Sequence, residues 1–227
     1  MTPDALPPPF LHPGTGSGAE LWLVRHAEVR EDWQGRAYGD LDVPLSLAGE
    51  ERTRALAPLL AALGPTRVLA SPLSRARLLG AAVARCAGLE LELDDNLREV
   101  HRGRWQGRAV RELQEELPEE VAAFYADPWA WRGHGGECDR DVSERAWRAV
   151  ERGLADGAGA RLCVATHYNV IRVLAAGALG IPAAASFAFR VDPGRASLLV
   201  DRADGWHLLR SNVETPSPPR VVSEVLP

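Results

Sequence analysis

The chain contains no lysine; all 26 of its basic residues are arginine, a skew ascribed to coding bias rather than function. Cysteine is scarce, with only Cys86, Cys138 and Cys163, and none of them forms a CxxC pair. An odd number of widely scattered thiols argues against a disulfide framework or a thiolate metal site and points to reduced thiols in the cytoplasm. No apolar run approaches the roughly 20 residues that span a bilayer. The first 18 residues lack a basic start and an apolar core, so no secretory signal is expected there. The formal net charge of −5 provides no general basic face, which argues against a nucleic-acid binder. A P-loop, a GxSxG elbow and a metal-ligand cluster are all missing, and no internal repeat is present.

What is present reads as a single globular domain. The length of 227 residues, with 46% hydrophobic content, is enough for one substantial core. Residues 1–18 are rich in proline and glycine and predict a mobile arm, with His12 exposed on it. Residues 19–213 form the predicted domain, and the proline-rich stretch 214–227 predicts a fraying tail.

Within the domain, strands and helices alternate. Glu20 to Arg25, Arg67 to Ala70, Leu89 to Leu93 and Arg161 to Thr166 read as strands, the first and last as buried ones. Further short strands are predicted over 186–190, 196–201 and 206–211. Helices are predicted after Ser46, its expected N-cap, after Ser71-Pro72, over 142–154 and directly after His167. The acidic stretch 109–126 predicts one or two helices broken near Pro118. Strand–helix–strand alternation of this kind implies an α/β fold with a parallel sheet.

The chemistry-bearing residues fall at strand ends and helix starts. Arg25 and His26 follow the first strand, Arg75 opens the helix after the second, and His167 follows the strand ending at Thr166. In open α/β sheets these carboxyl ends converge on the ligand crevice. Two guanidiniums and two imidazoles brought to one place suit a dianion, most simply a phosphoryl group. A charge pair at 4 Å is worth only about 1 kcal/mol in water but roughly 4 in a partly shielded cleft, which outweighs a diffuse charge of −5. With no other activated nucleophile in view, a histidine is the candidate for covalent phosphoryl transfer. Glu99, in the irregular loop after the third strand, is the candidate proton donor to the leaving oxygen. Taken singly, each of these residues has an ordinary structural reading; only the joint arrangement argues for a site.

The motifs carry a family resemblance. Leu23-Val24-Arg25-His26-Ala27-Glu28 resembles the LVRHGE signature of the histidine phosphatase superfamily, branch 1, also called phosphoglycerate-mutase-like. The likeness continues through 35–46, Ser71-Pro72-Leu73-Ser74-Arg75-Ala76, Leu97-Arg98-Glu99 with Gly103, Trp105 and Gly107, Gly135-Gly136-Glu137, and 166–172. It implies a three-layer α/β/α sandwich with a mostly parallel central sheet and helices on both faces. By the same resemblance, His26 is the phosphorylated nucleophile, and Arg25, Arg75 and His167 hold the phosphoryl oxygens. Glu99 is the general acid and base, and neither metal nor cofactor is needed. Residues 108–136 would cover the site, and Tyr38, Trp105, Tyr168 and Asn169 are candidates for the substrate pocket. Two departures stand out: Val29 and Asp32 occupy positions where the family often has threonine and asparagine, and an aspartate there would repel a dianion unless turned away or neutralised.

The activity expected is hydrolysis of small-molecule phosphomonoesters. The alternative is a 2,3-bisphosphoglycerate-dependent phosphoglycerate mutase, which Asn169 favours but which needs more cations than Arg108, Arg111 and Arg132 supply in the covering segment. A non-catalytic phosphate-binding protein is the remote alternative; it would be expected to lose His26 or Glu99. Trp105, Trp129 and Trp131 are read as packing residues before they are read as a substrate wall, and His101, His134 and His207 as ordinary loop or strand histidines. The oligomeric state stays open, a homodimer among the options.

Overall fold

The computed structural model describes residues 12–155, 157–214 and 216. Its centre is a six-stranded sheet of β1 (Glu20–Arg25), β2 (Arg67–Ala70), β3 (Leu91–Leu93), β4 (Arg161–Thr166), β5 (Ala196–Arg202) and β6 (Gly205–Val213), ordered β3-β2-β4-β1-β5-β6. The first four positions are mutually parallel, and β5 and β6 add an antiparallel hairpin at one side. The parallel part requires crossover helices, and these cover both faces, as the α/β reading expects.

Side chains alternate along each strand, so each strand feeds two cores. Leu21, Leu23, Leu162 and Val164 face the layer built by α5 (Asp139–Gly153) and α6 (Tyr168–Leu179). Trp22, Val24, Cys163 and Ala165 face α1 (Leu47–Ala61) and α2 (Ser74–Ala87). Each fully buried leucine contributes roughly 1.5–3 kcal/mol, which makes the buried runs of β1 and β4 the fixed centre of the domain. Ser46 caps α1 as expected, its Oγ accepting the Gly49 N–H at 3.0 Å. The stretch 109–126 is two helices, α3 (Val110–Glu116) and α4 (Pro118–Ala126), divided at the expected proline.

Four expectations need correction. Residues 12–18 are docked rather than mobile: the Asp201 carboxylate accepts the Thr15 and Ser17 hydroxyls at 2.6 and 2.8 Å and the Thr15, Gly16 and Ser17 amides. His12 is not exposed scenery either, since its ring stacks on buried Trp147 at 3.8 Å. Residues 1–11 lie outside the described ones. The strand expected over 186–190 is instead a 3-10 turn, Ala185–Ala188. Buried Ser186 closes that turn by donating to the Ala183 carbonyl at 2.5 Å and accepting from Arg172 at 2.7 Å. Of the tail expected over 214–227, Glu214 is paired with Arg195 at 2.8 Å and Arg52 at 3.3 Å; the rest apart from Pro216 lies outside the described residues.

Candidate active site

Strand register assembles the site. β1 and β4 pair Arg25 with Thr166, so the next residues, His26 and His167, leave the sheet side by side. Their rings lie 5.2 Å apart, centre to centre. β2 pairs Ala70 with Ala165, which brings Ser71 and the start of α2 alongside. Arg75 follows one turn later and is fully buried.

His26 Nδ1 lies 2.7 Å from the Ala27 carbonyl oxygen. A carbonyl only accepts, so Nδ1 carries the proton and Nε2 keeps its lone pair. Burial first, then the charges of Arg75 and Arg25, push this imidazole well below its ordinary pKa, so it is neutral at neutral pH. His167 is pushed down in the same way by burial, with Arg75 next; its Nε2 sits 2.8 Å from Ser71 Oγ.

The two arginines are oriented by backbone rather than by carboxylates. Arg75 donates to the carbonyls of Leu41 and Gly39 at 2.7 and 2.8 Å and lies over the Tyr38 ring at 5.1 Å. Arg25 donates to the Val191 carbonyl at 2.7 Å and lies over Tyr168 at 5.5 Å. Carbonyl anchors fix geometry without cancelling charge. Arg25 Nε, Arg75 Nε and His167 Nδ1 are buried and have no hydrogen-bond partner among the described residues. Leaving such atoms unmet costs about 1–3 kcal/mol each, and an oxyanion would meet them. Glu99 is buried, its carboxylate accepting the Val100 amide at 2.9 Å and the Asn169 amide at 3.4 Å.

Beside these groups lies a cavity of about 300 Å³ whose walls include Arg25, Glu99, Arg102 and the four pocket candidates Tyr38, Trp105, Tyr168 and Asn169. Trp105 also packs with Leu113, Phe124 and Trp131 into a small separate core that holds the covering segment together. His134 is buried within that aromatic group and pushed down to about 4, chiefly by burial; His101 is exposed and pairs with Asp40 at 3.0 Å. Asp32 does not confront an anion: it is exposed and held by Arg30 through two contacts of 2.7 Å. Among the described residues no group of three or more His, Cys, Asp or Glu has the arrangement of a metal site, and no helix is long and apolar enough to cross a membrane.

Three residues escaped the sequence reading. Arg145 on α5 donates to the carbonyls of Asn96, Arg98 and Glu99 at 2.7, 2.6 and 3.2 Å and pairs with Glu137, clamping the loop that carries Glu99. That loop crosses the segment 134–137 so closely that a Cβ on Gly136 would stand 2.1 Å from the His101 carbonyl oxygen, which is why glycine stands there. Arg172 forms a buried two-pronged pair with Asp139 at 2.6 and 2.7 Å. Arg102 reaches Asn169 Oδ1 at 3.1 Å from inside the pocket wall. Only Arg102 left a sequence signal, standing beside Gly103 and Arg104 in the loop between Glu99 and Trp105.

Comparison with known proteins places this arrangement. The family model described as "Histidine phosphatase superfamily (branch 1)" matches residues 21–214. Glucosyl-3-phosphoglycerate phosphatase of Mycolicibacterium vanbaalenii is 31% identical over 169 residues, covering 71% of this chain and 75% of the relative. The adenosylcobalamin/alpha-ribazole phosphatase of Escherichia coli K12 is 31% identical over 174 residues, covering 77% and 86%. The structure of a mycobacterial glucosyl-3-phosphoglycerate phosphatase superposes with a TM-score of 0.76 at 27% identity, covering 86% of this chain and 98% of that one. The chain belongs to branch 1 of the histidine phosphatase superfamily and is a phosphomonoester hydrolase of that family.

Proposed function

We propose that the chain hydrolyses small-molecule phosphomonoesters through a phosphohistidine on His26. The observation that carries this reading is the Nδ1 contact to the Ala27 carbonyl, which leaves an unprotonated Nε2 beside two guanidiniums and His167. Nε2 attacks phosphorus and forms the P–N bond as the ester P–O bond breaks. Glu99, entering as the acid, gives its proton to the leaving oxygen. Water then attacks the phosphohistidine, Glu99 takes a proton from it, and the P–N bond breaks to release phosphate and neutral His26. Arg25, Arg75 and His167 stabilise the charge on the transferring oxygens, a role in which each lost donor costs about 10²–10³ in rate.

Hydrolysis is favoured over phosphoglycerate isomerisation by the pairing of the covering segment. Arg108, Arg111 and Arg132, the cations a mutase would recruit there, are each tied to a carboxylate: Glu116, Glu115 and Asp141. Of the relatives' names, those of the two phosphatases lean the same way, while relatives named probable phosphoglycerate mutase, 27% identical over 164 residues, lean the other. Three unpaired thiols fit a reducing, cytoplasmic setting.

The test is chemical trapping. A monoester pulse quenched in alkali should leave one phosphoryl group on the peptide containing His26. His26→Ala should lose both the adduct and at least about 10³-fold in kcat/KM. Full activity in that variant would sink the mechanism.

A further inference from the structure

We propose that Arg102 forms a second anion subsite, which selects phosphomonoesters whose leaving alcohol also carries an oxyanion. The proposal rests on the functional reading above and names the substrate class of that same pocket.

Arg102 stands in the wall of the cavity that Arg25 and Glu99 also line. Its side chain lies over the Phe124 ring at 4.9 Å and donates one N–H to Asn169 Oδ1 at 3.1 Å. That is its single hydrogen bond among the described residues, and no carboxylate there comes within ion-pair distance of it. Burial disfavours the charged form of Arg102, with Glu99 and Asp139 opposing that effect and Arg172 adding to it. Neither acid comes within ion-pair distance of Arg102. Asp139 is matched in two-pronged fashion by Arg172, and the Glu99 oxygens are turned to the Val100 and Asn169 amides. Four other arginines of this region, Arg104, Arg108, Arg111 and Arg132, each have a carboxylate partner; Arg102, like Arg25 and Arg36 in the same wall, has none among the described residues, but unlike them it is held by a side-chain amide oxygen rather than by backbone carbonyls.

A half-buried guanidinium without a counter-ion is costly to keep unless a ligand supplies one. Its planar fork matches a carboxylate or a phosphate. Asn169 ties it to the Glu99 end of the pocket, through its own amide on Glu99 and its side-chain oxygen on Arg102. The subsite therefore lies on the alcohol side of the scissile bond, where Glu99 would protonate the leaving oxygen. A short acidic alcohol phosphate would place its phosphoryl group against His26 and its second oxyanion against Arg102.

The experiment compares three probes of similar size: glycerol 3-phosphate, 3-phosphoglycerate and glycerol bisphosphate, which carry no second oxyanion, a carboxylate and a second phosphate. Wild type should prefer one or both acidic esters by about 10- to 100-fold in kcat/KM, the worth of a hydrogen bond to a charged group. Whichever acid is preferred identifies the source of the oxyanion. The preference should persist at 0.5 M salt, because a contact with a partly buried charge is screened far less than long-range steering. In Arg102→Met the acidic-to-neutral ratio should fall to near one, with Arg102→Lys intermediate. The ratio is the readout, so any loss common to all esters cancels.

A wild-type ratio near one overturns the proposal, and needs no variant to fold. So does an Arg102→Met ratio equal to that of wild type. His26→Ala keeps the two readings apart: activity surviving there with the preference intact would sink the phosphohistidine while leaving the subsite standing.

Discussion

Two groups of arginines lie within one region of this molecule, and they are held in opposite ways. Arg25 and Arg75, at the strand ends, are anchored by the backbone carbonyls of Val191, Leu41 and Gly39. Arg104, Arg108, Arg111 and Arg132, around the covering segment, are anchored by carboxylates. A carbonyl fixes a guanidinium in place and leaves its full charge for a ligand; a carboxylate fixes it and cancels the charge. On the proposed function, the same residue type is thus a binding group at the sheet edge and a structural group in the covering segment. Counting arginines in the sequence cannot separate the two roles, because the distinction lies in the partner.

The sharpest way to break the comparison is to remove a carbonyl-anchored charge while keeping its bulk. Arg75→Met should lower kcat/KM by about 10²–10³-fold, the effect of losing one oriented donor to the transferring phosphoryl group. It should also move the pH profile. His26 is held well below 6.5 by burial first and by Arg75 next, so the wild-type acidic limb that belongs to His26 should lie below pH 6.5. Removing Arg75 relieves part of that depression, and the limb should shift toward 6.5 once the substrate's own ionisation is corrected for. An unmoved limb would show that Arg75 does not act on the imidazole.

The carbonyl-anchored half was largely legible in the sequence, and the physical reason is local. Buried runs such as Leu21 to Val24 and Leu162 to Ala165 are too short for a buried helix and read as sheet interior, which sets the residues that follow them, His26 and His167, at the strand ends. Arg75 was visible because it opens a helix after a third such run. Glu99 was less visible on those terms; it stood out by its place in the irregular loop after the third strand and then by the motifs around it. Arg102, Arg145 and the Arg172–Asp139 pair were missed because the partners that place them, Asn169, Asn96 and Asp139, lie 33 to 67 positions away along the chain. The strand expected over 186–190 failed for a related reason: Ser186 answers to Arg172 rather than to a neighbouring strand. The proline-glycine composition of 12–18 suggested mobility, but a single distant carboxylate, Asp201, collects the polar groups of that segment.

Between the two groups stands Arg172, carboxylate-held like the covering segment but wholly buried like Arg75. Asp139→Asn would leave its guanidinium buried without a counter-ion. Breaking such a pair from one side costs about 3–5 kcal/mol, which for a domain of this size lowers the unfolding midpoint by about 6–20 °C. Replacing both partners together, as Asp139→Leu with Arg172→Met, should cost less than the single change, because no stranded charge remains. A double variant as unstable as the single one would mean that the pair acts through shape rather than charge.

The smallest effects belong to the exposed pairs. Arg111, on the outer face of α3, meets Glu115 at 2.7 Å in full view of solvent, and Arg108 meets Glu116 nearby. Pairs of this kind contribute little, so Arg111→Gln should change kcat/KM by less than about twofold and leave the unfolding midpoint nearly where it was. Removing the acids instead makes the more informative variant. Glu115→Gln with Glu116→Gln uncovers two cations beside the pocket without touching the sheet edge. If cancelled charge is what keeps these arginines out of substrate binding, kcat/KM for a dianionic ester should rise by about two- to threefold at low salt. The gain should vanish near 0.5 M, where the Debye length shrinks to a few ångströms. A gain that survived high salt would mean the uncovered arginines had found direct contacts with the substrate, and the division between the two groups would then be one of pairing alone rather than of position.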